Sequence, residues 1–258
     1  MRKNKKVVIF GGTSPLGLAL IDLLLQERLQ IIATYNKTKP KEKKSEVFYQ
    51  KLDVSSQSEI ENFFKRLDKD VSCFVSLVGR SAPKKFIDCE KQFVDELFNI
   101  NFISQYELIS RSAKYFLNLQ KQGKIIVVTS LNALFPLPNW SIYSASKHAL
   151  HAMLLSASYE LKKKGIQLTA VASGAIKRTY FDKDQKQYLG LRERNFIFGL
   201  LLPFLTYEKV AHEIVLMIKS NKNPRELIIG RDAKLMYVMS KFLPRSLWHE
   251  IIQRTIQF

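Results

Sequence analysis

The chain has 258 residues, of which 46% are hydrophobic, and it carries a formal net charge of +18. This length and apolar content predict one sizeable α/β domain with a full core. The two cysteines and four histidines show no metal-ligand spacing, so we predict no metal site and a reducing, cytoplasmic setting.

The amino-terminal basic residues precede an apolar run of only Val7 to Phe10, so we expect a strand there and no signal peptide. No apolar run is long enough to span a membrane. The net charge would suit nucleic acid, an anionic membrane surface or an anionic cofactor, or it could reflect solvated lysine-rich faces. No helix-turn-helix, zinc spacing or aromatic RNA-binding motif accompanies it, so nucleic acid is not predicted as a partner.

A strand over residues 6–10, a glycine-rich turn and a helix over 18–26 open the chain. This order is typical of dinucleotide binding, because glycine lets the backbone approach a pyrophosphate and the helix N-terminus attracts its charge. A plain tight turn is the alternative. The candidate cofactor-binding residues of the turn are Gly11, Thr13, Ser14, Leu16 and Gly17.

Further strands are predicted over residues 30–35, 47–52, 73–77, 124–129, 167–172 and 227–229. Helices are predicted over residues 56–67, 90–119, 142–164 and 206–219, with the second interrupted near residues 99–101. Ser56 and Glu59 have the spacing of a capping box at the start of the first of these helices. His148 and His151, on the third, are expected at the surface or in a subunit contact.

Ser130 follows a predicted buried strand, and Tyr143 and Lys147 lie four residues apart on the predicted helix after it. A nearby ammonium favours the phenolate and lowers the tyrosine pKa from its free value of about 10, which suits acid–base chemistry near neutral pH. A serine hydroxyl at the same place could hold a carbonyl or alcohol oxygen. The alternative is an exposed Tyr/Lys pair beside a turn serine.

This serine, with a tyrosine thirteen residues later and a lysine four further, resembles the active-site signature of the short-chain dehydrogenase/reductase family. The resemblance implies a single Rossmann domain over residues 1–258, with a doubly wound, seven-stranded parallel sheet and helices on both faces. It implies a homodimer or homotetramer. It also implies a catalytic set of Asn101, Ser130, Tyr143 and Lys147. In the family the asparagine holds a water that links the lysine to solvent, and Asn99 is the competing candidate here.

The resemblance also implies the remaining cofactor contacts. Asp53 and Val54 would touch the adenine, although Asp53 could equally be a turn residue. Gly79 would let the backbone pass close to the cofactor, and Tyr143 and Lys147 would meet the nicotinamide ribose. Candidates for the nicotinamide carboxamide are Ala175, Ile176 and Thr179.

Three positions depart from the family pattern. Pro15 replaces the middle glycine of the turn, which is tolerated in a first helical turn. Ser173-Gly174 replaces the usual Pro-Gly. Ser76-Leu77-Val78-Gly79 replaces Asn-Asn-Ala-Gly, and this change is expected to loosen the bracing of the central strands.

NAD-specific members of the family carry an acidic residue where the second strand ends. Here the chain continues with Tyr35, Asn36, Lys37 and Lys39, without an acid. A 2′-phosphate would be repelled by a carboxylate and attracted by these lysines and the amide, so we predict NADP(H) rather than NAD(H). A mobile basic loop without this role is the alternative.

These features predict an oxidoreductase that interconverts a carbonyl and an alcohol of a small-molecule substrate, with Tyr143 as the acid or base. A non-catalytic, dinucleotide-binding regulatory protein is the alternative. Residues 177–204 would form a substrate lid whose many aromatic residues suit a lipophilic substrate, unless they pack as core or meet a membrane or a subunit. The carboxy-terminal extension, residues 232–258, is basic and aromatic. It could lie on a membrane surface, cover the sheet edge or meet a partner.

Overall fold

The computed structural model describes residues 5–177, 204–244, 246–247 and 250. Most of the predicted lid, including Thr179, and part of the carboxy-terminal extension lie outside the described residues.

Seven strands in the described part of the chain form one sheet, in which all neighbouring strands are parallel. The strands are β1 (Lys6–Phe10), β2 (Gln30–Tyr35), β3 (Val47–Lys51), β4 (Val71–Ser76), β5 (Gly123–Val128), β6 (Ile166–Ser173) and β7 (Glu226–Ile229). Their order is β3-β2-β1-β4-β5-β6-β7. The predicted fold class, a doubly wound Rossmann sheet, is therefore confirmed.

Helices cover both faces of this sheet, and alternate residues of each strand face opposite layers. The described helices are α1 (Pro15–Gln26), α2 (Gln57–Lys65), α3 (Lys91–Phe98), α4 (Ser104–Asn118), α5 (Ser141–Lys162), α6 (Tyr207–Lys219) and α7 (Arg231–Phe242). In β1, Val7 and Ile9 join a core with α1 and α6, whereas Val8 and Phe10 join a second core with α2, α4 and α5. A purely parallel sheet needs this cover on both faces.

The chain reverses its winding direction between β1 and β4, which are neighbours at the centre of the sheet. In open parallel sheets this switch point leaves a crevice beyond the carboxyl ends of the strands, where ligands bind. The loops that begin at Gly11 and Leu77 flank this crevice. The fold thus places the predicted functional segments along one edge.

The last described helix, α7, packs against the segment that follows β5. Its residues Ala233, Met236 and Tyr237 contact a small cluster around Leu131 and Phe135. At its first turn the buried Asp232 accepts a hydrogen bond from the backbone N–H of Ala175, at 3.0 Å. Among the described helices, none is both long and apolar enough to pass through a lipid bilayer.

Two sequence-based expectations differ from the structure. Ser56 caps α2 by accepting a hydrogen bond from the Glu59 N–H at 3.3 Å, but the Glu59 carboxylate accepts from the Asp53 N–H instead of completing a capping box. His151 is not a surface residue, because it is only 5% exposed.

The partners of His151 explain its burial. One ring nitrogen lies 2.8 Å from a Glu226 carboxylate oxygen, and the other lies 3.3 Å from the Thr129 hydroxyl. Burial lowers the pKa of His151, and the Glu226 carboxylate opposes that effect. This contact ties α5 to the ends of β5 and β7.

Candidate active site

Two positions of the glycine turn after β1 have no room for a side chain. A Cβ atom on Gly12 would lie 2.7 Å from the Ala33 Cβ, and one on Gly17 would lie 2.5 Å from the Gly12 carbonyl oxygen. Gly11 has a φ of 81°, a left-handed conformation that favours glycine. The sequence motif predicts Gly11 and Gly17 but not Gly12, whose need for glycine depends on the neighbouring strand β2.

Ser14 is the N-cap of α1. Its hydroxyl accepts a hydrogen bond from the Gly17 N–H at 3.1 Å and donates one to the Gly11 carbonyl at 2.8 Å. Pro15 then occupies the first helical turn, where its missing N–H is tolerated. Together these residues aim the positive end of α1 at the crevice, which suits an anionic group. Leu16 is buried beneath the turn, whereas Thr13 is half-buried.

The residues predicted for the adenosine end come together where β2 and β3 end. The Asp53 carboxylate accepts hydrogen bonds from the backbone N–H and the hydroxyl of Ser55, at 2.9 and 2.6 Å. These bonds, with smaller contributions from Asn36 and Lys37, hold the Asp53 pKa below its ordinary value. Asp53 thus holds the turn after β3 and lies beside Asn36 and Lys37, and its contact with the adenine stays a prediction.

Ser130 lies in extended backbone directly after β5, at the start of a short 3₁₀ turn. Its hydroxyl oxygen accepts a hydrogen bond from the Asn132 N–H at 3.1 Å. The serine proton can therefore be donated to another oxygen. Tyr143 lies in the first turn of α5, is 9% exposed, and packs edge-on against Trp140 with the ring centroids 5.4 Å apart.

Lys147 lies one helical turn after Tyr143 and is 3% exposed. Burial lowers the pKa of its ammonium group to about 8. Its Nζ lies 5.9 Å from the centroid of the Tyr143 ring. A Cβ atom on Gly79 would lie 2.8 Å from this Nζ and 3.4 Å from the Asn101 Oδ1. The Lys147 ammonium and the Asn101 carboxamide therefore both lie next to Gly79, where only glycine leaves room for the lysine.

Asn101 lies in a π-helical turn, Asn99–Ile103, that separates α3 from α4. Its side chain is fully buried, whereas Asn99 is exposed. The Asn101 carboxamide accepts from the Arg80 N–H at 2.8 Å and donates to the Arg80 carbonyl and to the Ser146 hydroxyl, each at 3.1 Å. The turn therefore directs Asn101, and not Asn99, towards Lys147. Such π-turns often occur at functional sites.

Gln105 is a fully buried polar residue that the sequence motifs do not predict. Its carboxamide oxygen accepts a hydrogen bond from the Ser76 hydroxyl at 2.8 Å, and its nitrogen donates to the Val78 carbonyl at 2.7 Å. This glutamine braces the end of β4 from α4, whereas the expected loosening around Ser76-Leu77-Val78-Gly79 stays a prediction. The available signal was a polar residue four positions after Asn101, on the same helix face as Leu108 and Ile109.

A cavity of about 290 Å³ opens at the carboxyl ends of β4, β5 and β6. Ser130, Tyr143 and Lys147 line it together, and Gly79, Ala175 and Ile176 form part of its walls. The glycine turn and Asp53 do not line this cavity and lie further along the crevice. Among the described residues, no group of three or more His, Cys, Asp or Glu side chains could hold a metal ion.

The family model for short chain dehydrogenases matches residues 5–189 of this chain. A probable short-chain type dehydrogenase/reductase of Helicobacter pylori is 24% identical over 96% of both chains. An uncharacterized oxidoreductase of Saccharomyces cerevisiae is 28% identical over 70% of this chain, and that match spans 63% of the yeast protein. The 3-oxoacyl-[acyl-carrier-protein] reductase MabA of Mycobacterium avium is 26% identical over 67% of this chain and 68% of its own length.

Solved structures share the fold at low sequence identity. A short chain dehydrogenase from Burkholderia cenocepacia in complex with NADP has a TM-score of 0.80, with 16% identity over 97% of this chain and 98% of its own. A short chain dehydrogenase from Leptospira borgpetersenii with bound NAD⁺ has a TM-score of 0.78, with 15% identity over 88% of this chain and 92% of its own.

Proposed function

The chain belongs to the short-chain dehydrogenase family of oxidoreductases, and we propose that it interconverts a carbonyl and an alcohol with NADP(H) as the cofactor. The observation that best supports this proposal is the cavity in which Ser130, Tyr143 and the buried Lys147 meet. A hydroxyl donor, a phenol and an ammonium group in one cavity are the groups that proton transfer to a carbonyl oxygen needs.

The crevice fits a dinucleotide at its phosphate end. Gly12 and Gly17 let the turn pack tightly against Ala33 and against its own backbone, and this compact turn leads directly into the N-terminus of α1. Gly79 keeps the passage beside Lys147 open. We assign the dinucleotide to this path, with Ala175 and Ile176 at its nicotinamide end, and we retain Thr179 as a proposed contact outside the described residues.

The preference for NADP(H) rests on residues of this chain, because the structural relatives include both an NADP complex and an NAD⁺ complex. No acidic residue follows β2 directly, where Tyr35 is succeeded by Asn36 and Lys37. A cationic and an amide side chain favour a phosphate through charge and hydrogen bonding. The carboxylate of Asp53, which lies beside Asn36 and Lys37, follows β3 and is held by Ser55.

The proposed reaction assigns one role to each side chain. The reduced nicotinamide supplies the hydride when it is bound. Ser130 donates a hydrogen bond to the substrate oxygen while its own oxygen accepts from the Asn132 N–H. Tyr143 transfers its hydroxyl proton to the same oxygen, and the Lys147 ammonium stabilises the phenolate that remains. Asn101 holds the backbone beside Lys147 and supports the return of a proton through water.

The first test is NADPH oxidation by the purified chain with a panel of aldehydes and ketones, in wild type and in Tyr143→Phe. We expect turnover to fall by about 10²- to 10⁴-fold in the variant, because general acid catalysis contributes this much. NADPH binding, followed by its fluorescence, should be retained. Tyr159→Phe, at an exposed tyrosine on the same helix, is the matched control and should leave turnover unchanged.

The possible results separate the parts of the proposal. Tighter binding of NADH than of NADPH would overturn the cofactor preference. NADPH binding without turnover on any carbonyl would favour the non-catalytic, regulatory alternative. If no dinucleotide bound at all, the proposed activity would be wrong and only the family and the fold would stand.

A further inference from the structure

Helix α7 has two faces of different character. Its inner face packs through Ala233, Met236 and Tyr237 onto the cluster around Leu131 and Phe135. Leu131 directly follows Ser130, so the inner face of α7 lies one layer of side chains away from the candidate active site. This packing fixes the orientation of the helix and therefore decides which residues face outwards.

The outward face of α7 carries a stripe of exposed apolar side chains. Leu235, Val238 and Phe242 are 45%, 50% and 83% exposed. Their spacing of three and four residues places them on one side of the helix. Leu247, beyond the end of the helix, is 43% exposed as well. Large apolar side chains that cluster on a surface helix mark an interaction surface, in contrast to single exposed residues.

The exposed charges of α7 are all positive. Lys234 and Lys241 are exposed and lie seven residues apart along one flank of the apolar stripe, and Arg231 is exposed at the first turn. The acid of this helix, Asp232, is buried against the Ala175 N–H and does not reach the surface. The Lys241 ammonium lies over the Tyr237 ring, 5.2 Å from its centroid, so this charge stays close to the helix.

We propose that α7 is a docking surface for an anionic lipid bilayer. In this arrangement the helix lies in the plane of the interface, with Leu235, Val238 and Phe242 among the headgroups and upper acyl chains. Lys234 and Lys241 contact lipid phosphates, because lysine stems can extend along apolar surface while the charge remains in the headgroup layer. The net charge of +18 adds a long-range attraction to the same surface.

A second copy of the chain fits this surface less well than a bilayer does. A symmetric contact between two copies brings the same residues together, so it would place cationic flanks near each other across an apolar stripe. Like charges in such an interface oppose association. Anionic lipid offers both an apolar phase and the opposite charge. The proposal goes beyond the proposed function and does not depend on it.

The test is flotation of the full chain with vesicles of phosphatidylcholine alone and of phosphatidylcholine mixed with phosphatidylglycerol. We expect binding to the anionic vesicles to be at least roughly tenfold tighter, and to weaken as salt is raised. Leu235→Ser combined with Phe242→Ser should reduce this binding by roughly tenfold or more, because both side chains lose their apolar contact with lipid. Lys234→Gln combined with Lys241→Gln should remove the preference for anionic vesicles.

Two matched controls distinguish binding through α7 from nonspecific binding of the whole protein to vesicles. Phe48→Ser removes an exposed phenylalanine on β3, at the sheet edge opposite to β7, and should leave vesicle binding unchanged. Lys162→Gln combined with Lys163→Gln removes the same charge from the end of α5 and should weaken binding much less than the α7 pair. Circular dichroism would confirm that each variant is folded, which the exposure of the altered side chains favours.

Other results would overturn the proposal. Equal binding to neutral and anionic vesicles would overturn the preference for anionic lipid, and an equal loss in Phe48→Ser would show that α7 is not the surface. Absence of vesicle binding, together with a smaller sedimenting species in Leu235→Ser/Phe242→Ser than in wild type, would assign the stripe to a second copy of the chain.

Discussion

The charged side chain of Lys147 is almost entirely buried, and burying its ammonium group lowers the stability of the folded protein. Burial lowers its pKa from the ordinary 10.5 to about 8. Removing the ammonium group from water opposes folding, whereas the same charge beside Tyr143 is what the proposed reaction requires. We therefore expect the buried Lys147 charge to lower the free energy of unfolding, while it serves the proposed reaction.

This cost predicts a dependence of stability on pH. Between pH 8 and 10.5 the unfolded chain binds the Lys147 proton while the folded chain has lost it, so the contribution of Lys147 to stability rises with pH. Below pH 8 the full penalty remains. We expect Lys147→Met to be more stable than wild type at pH 7, by on the order of 1–3 kcal/mol, and the gain to shrink towards pH 10.

Urea unfolding of the cofactor-free protein at pH 7 and pH 9.5 would measure this difference. Lys162→Met, at the exposed end of the same helix, is the control and should change stability by less than about 0.5 kcal/mol at pH 7. A Lys147→Met variant that is less stable than wild type at pH 7 would contradict the prediction, since it would show that the buried charge is stabilised by its surroundings.

At the scale of elements, α4 is fixed to β4 by a polar contact inside an apolar layer. Gln105 is fully buried and satisfies both the Ser76 hydroxyl and the Val78 carbonyl. Since β4 borders the switch point, this contact sets the position of the loop that contains Gly79 relative to the turn with Asn101. Gln105 thus connects the facing helix to the loop motif that departs from the family pattern.

Gln105→Met should therefore destabilise the protein by about 1–3 kcal/mol, because it leaves buried polar partners without a hydrogen bond while the size of the side chain is kept. Urea unfolding at neutral pH would measure the change. Gln57→Met, at an exposed position of α2, should stay within about 0.5 kcal/mol of wild type.

A double-mutant cycle with Ser76→Ala would isolate the contact. Residues that share a hydrogen bond show coupling of about 0.5–3 kcal/mol, so the effects of Gln105→Met and Ser76→Ala should not add. Additive effects would mean that the bond does not stabilise the fold.

At the scale of the whole molecule, the outer face of α5 is the surface we propose for assembly into a dimer or tetramer. Exposed residues recur along this face at Ala145, Ala152, Ser156 and Tyr159. Most of these side chains are small, which lets a second helix approach closely. The family resemblance implies such an assembly, and this face differs from the one that we assign to the bilayer.

We therefore expect the wild-type chain to sediment as a dimer or tetramer and Ala152→Arg to dissociate it. A bulky charge placed opposite its own copy should raise the dissociation constant by about 100-fold or more, since like-charge contacts cost several kcal/mol. Gln57→Arg adds the same charge on α2 and should leave the sedimenting mass unchanged. If Ala152→Arg sedimented as wild type does, the assembly would use another surface or none.

The amino-acid sequence by itself determined the strands and the arrangement of the catalytic segment, whereas the sheet class followed from the family resemblance. The predicted bounds of β1 and β2 agree with the structure, because apolar β-branched runs and glycine-rich turns act through local geometry. The spacing of Tyr143 and Lys147 follows from the period of one helix. The resemblance to the family favoured Asn101 over its competitor Asn99, and the π-helical turn in the structure buries Asn101 and leaves Asn99 exposed.

Only the tertiary structure decided which buried polar groups meet. His151 finds Glu226 from 75 residues away, Gln105 reaches Ser76 across 29 residues, and Gly12 must be glycine because Ala33 of the next strand touches it. These contacts depend on how helices lie over the sheet, which no local pattern specifies. A buried polar side chain must find a partner, but packing across the sheet determines which partner is within reach.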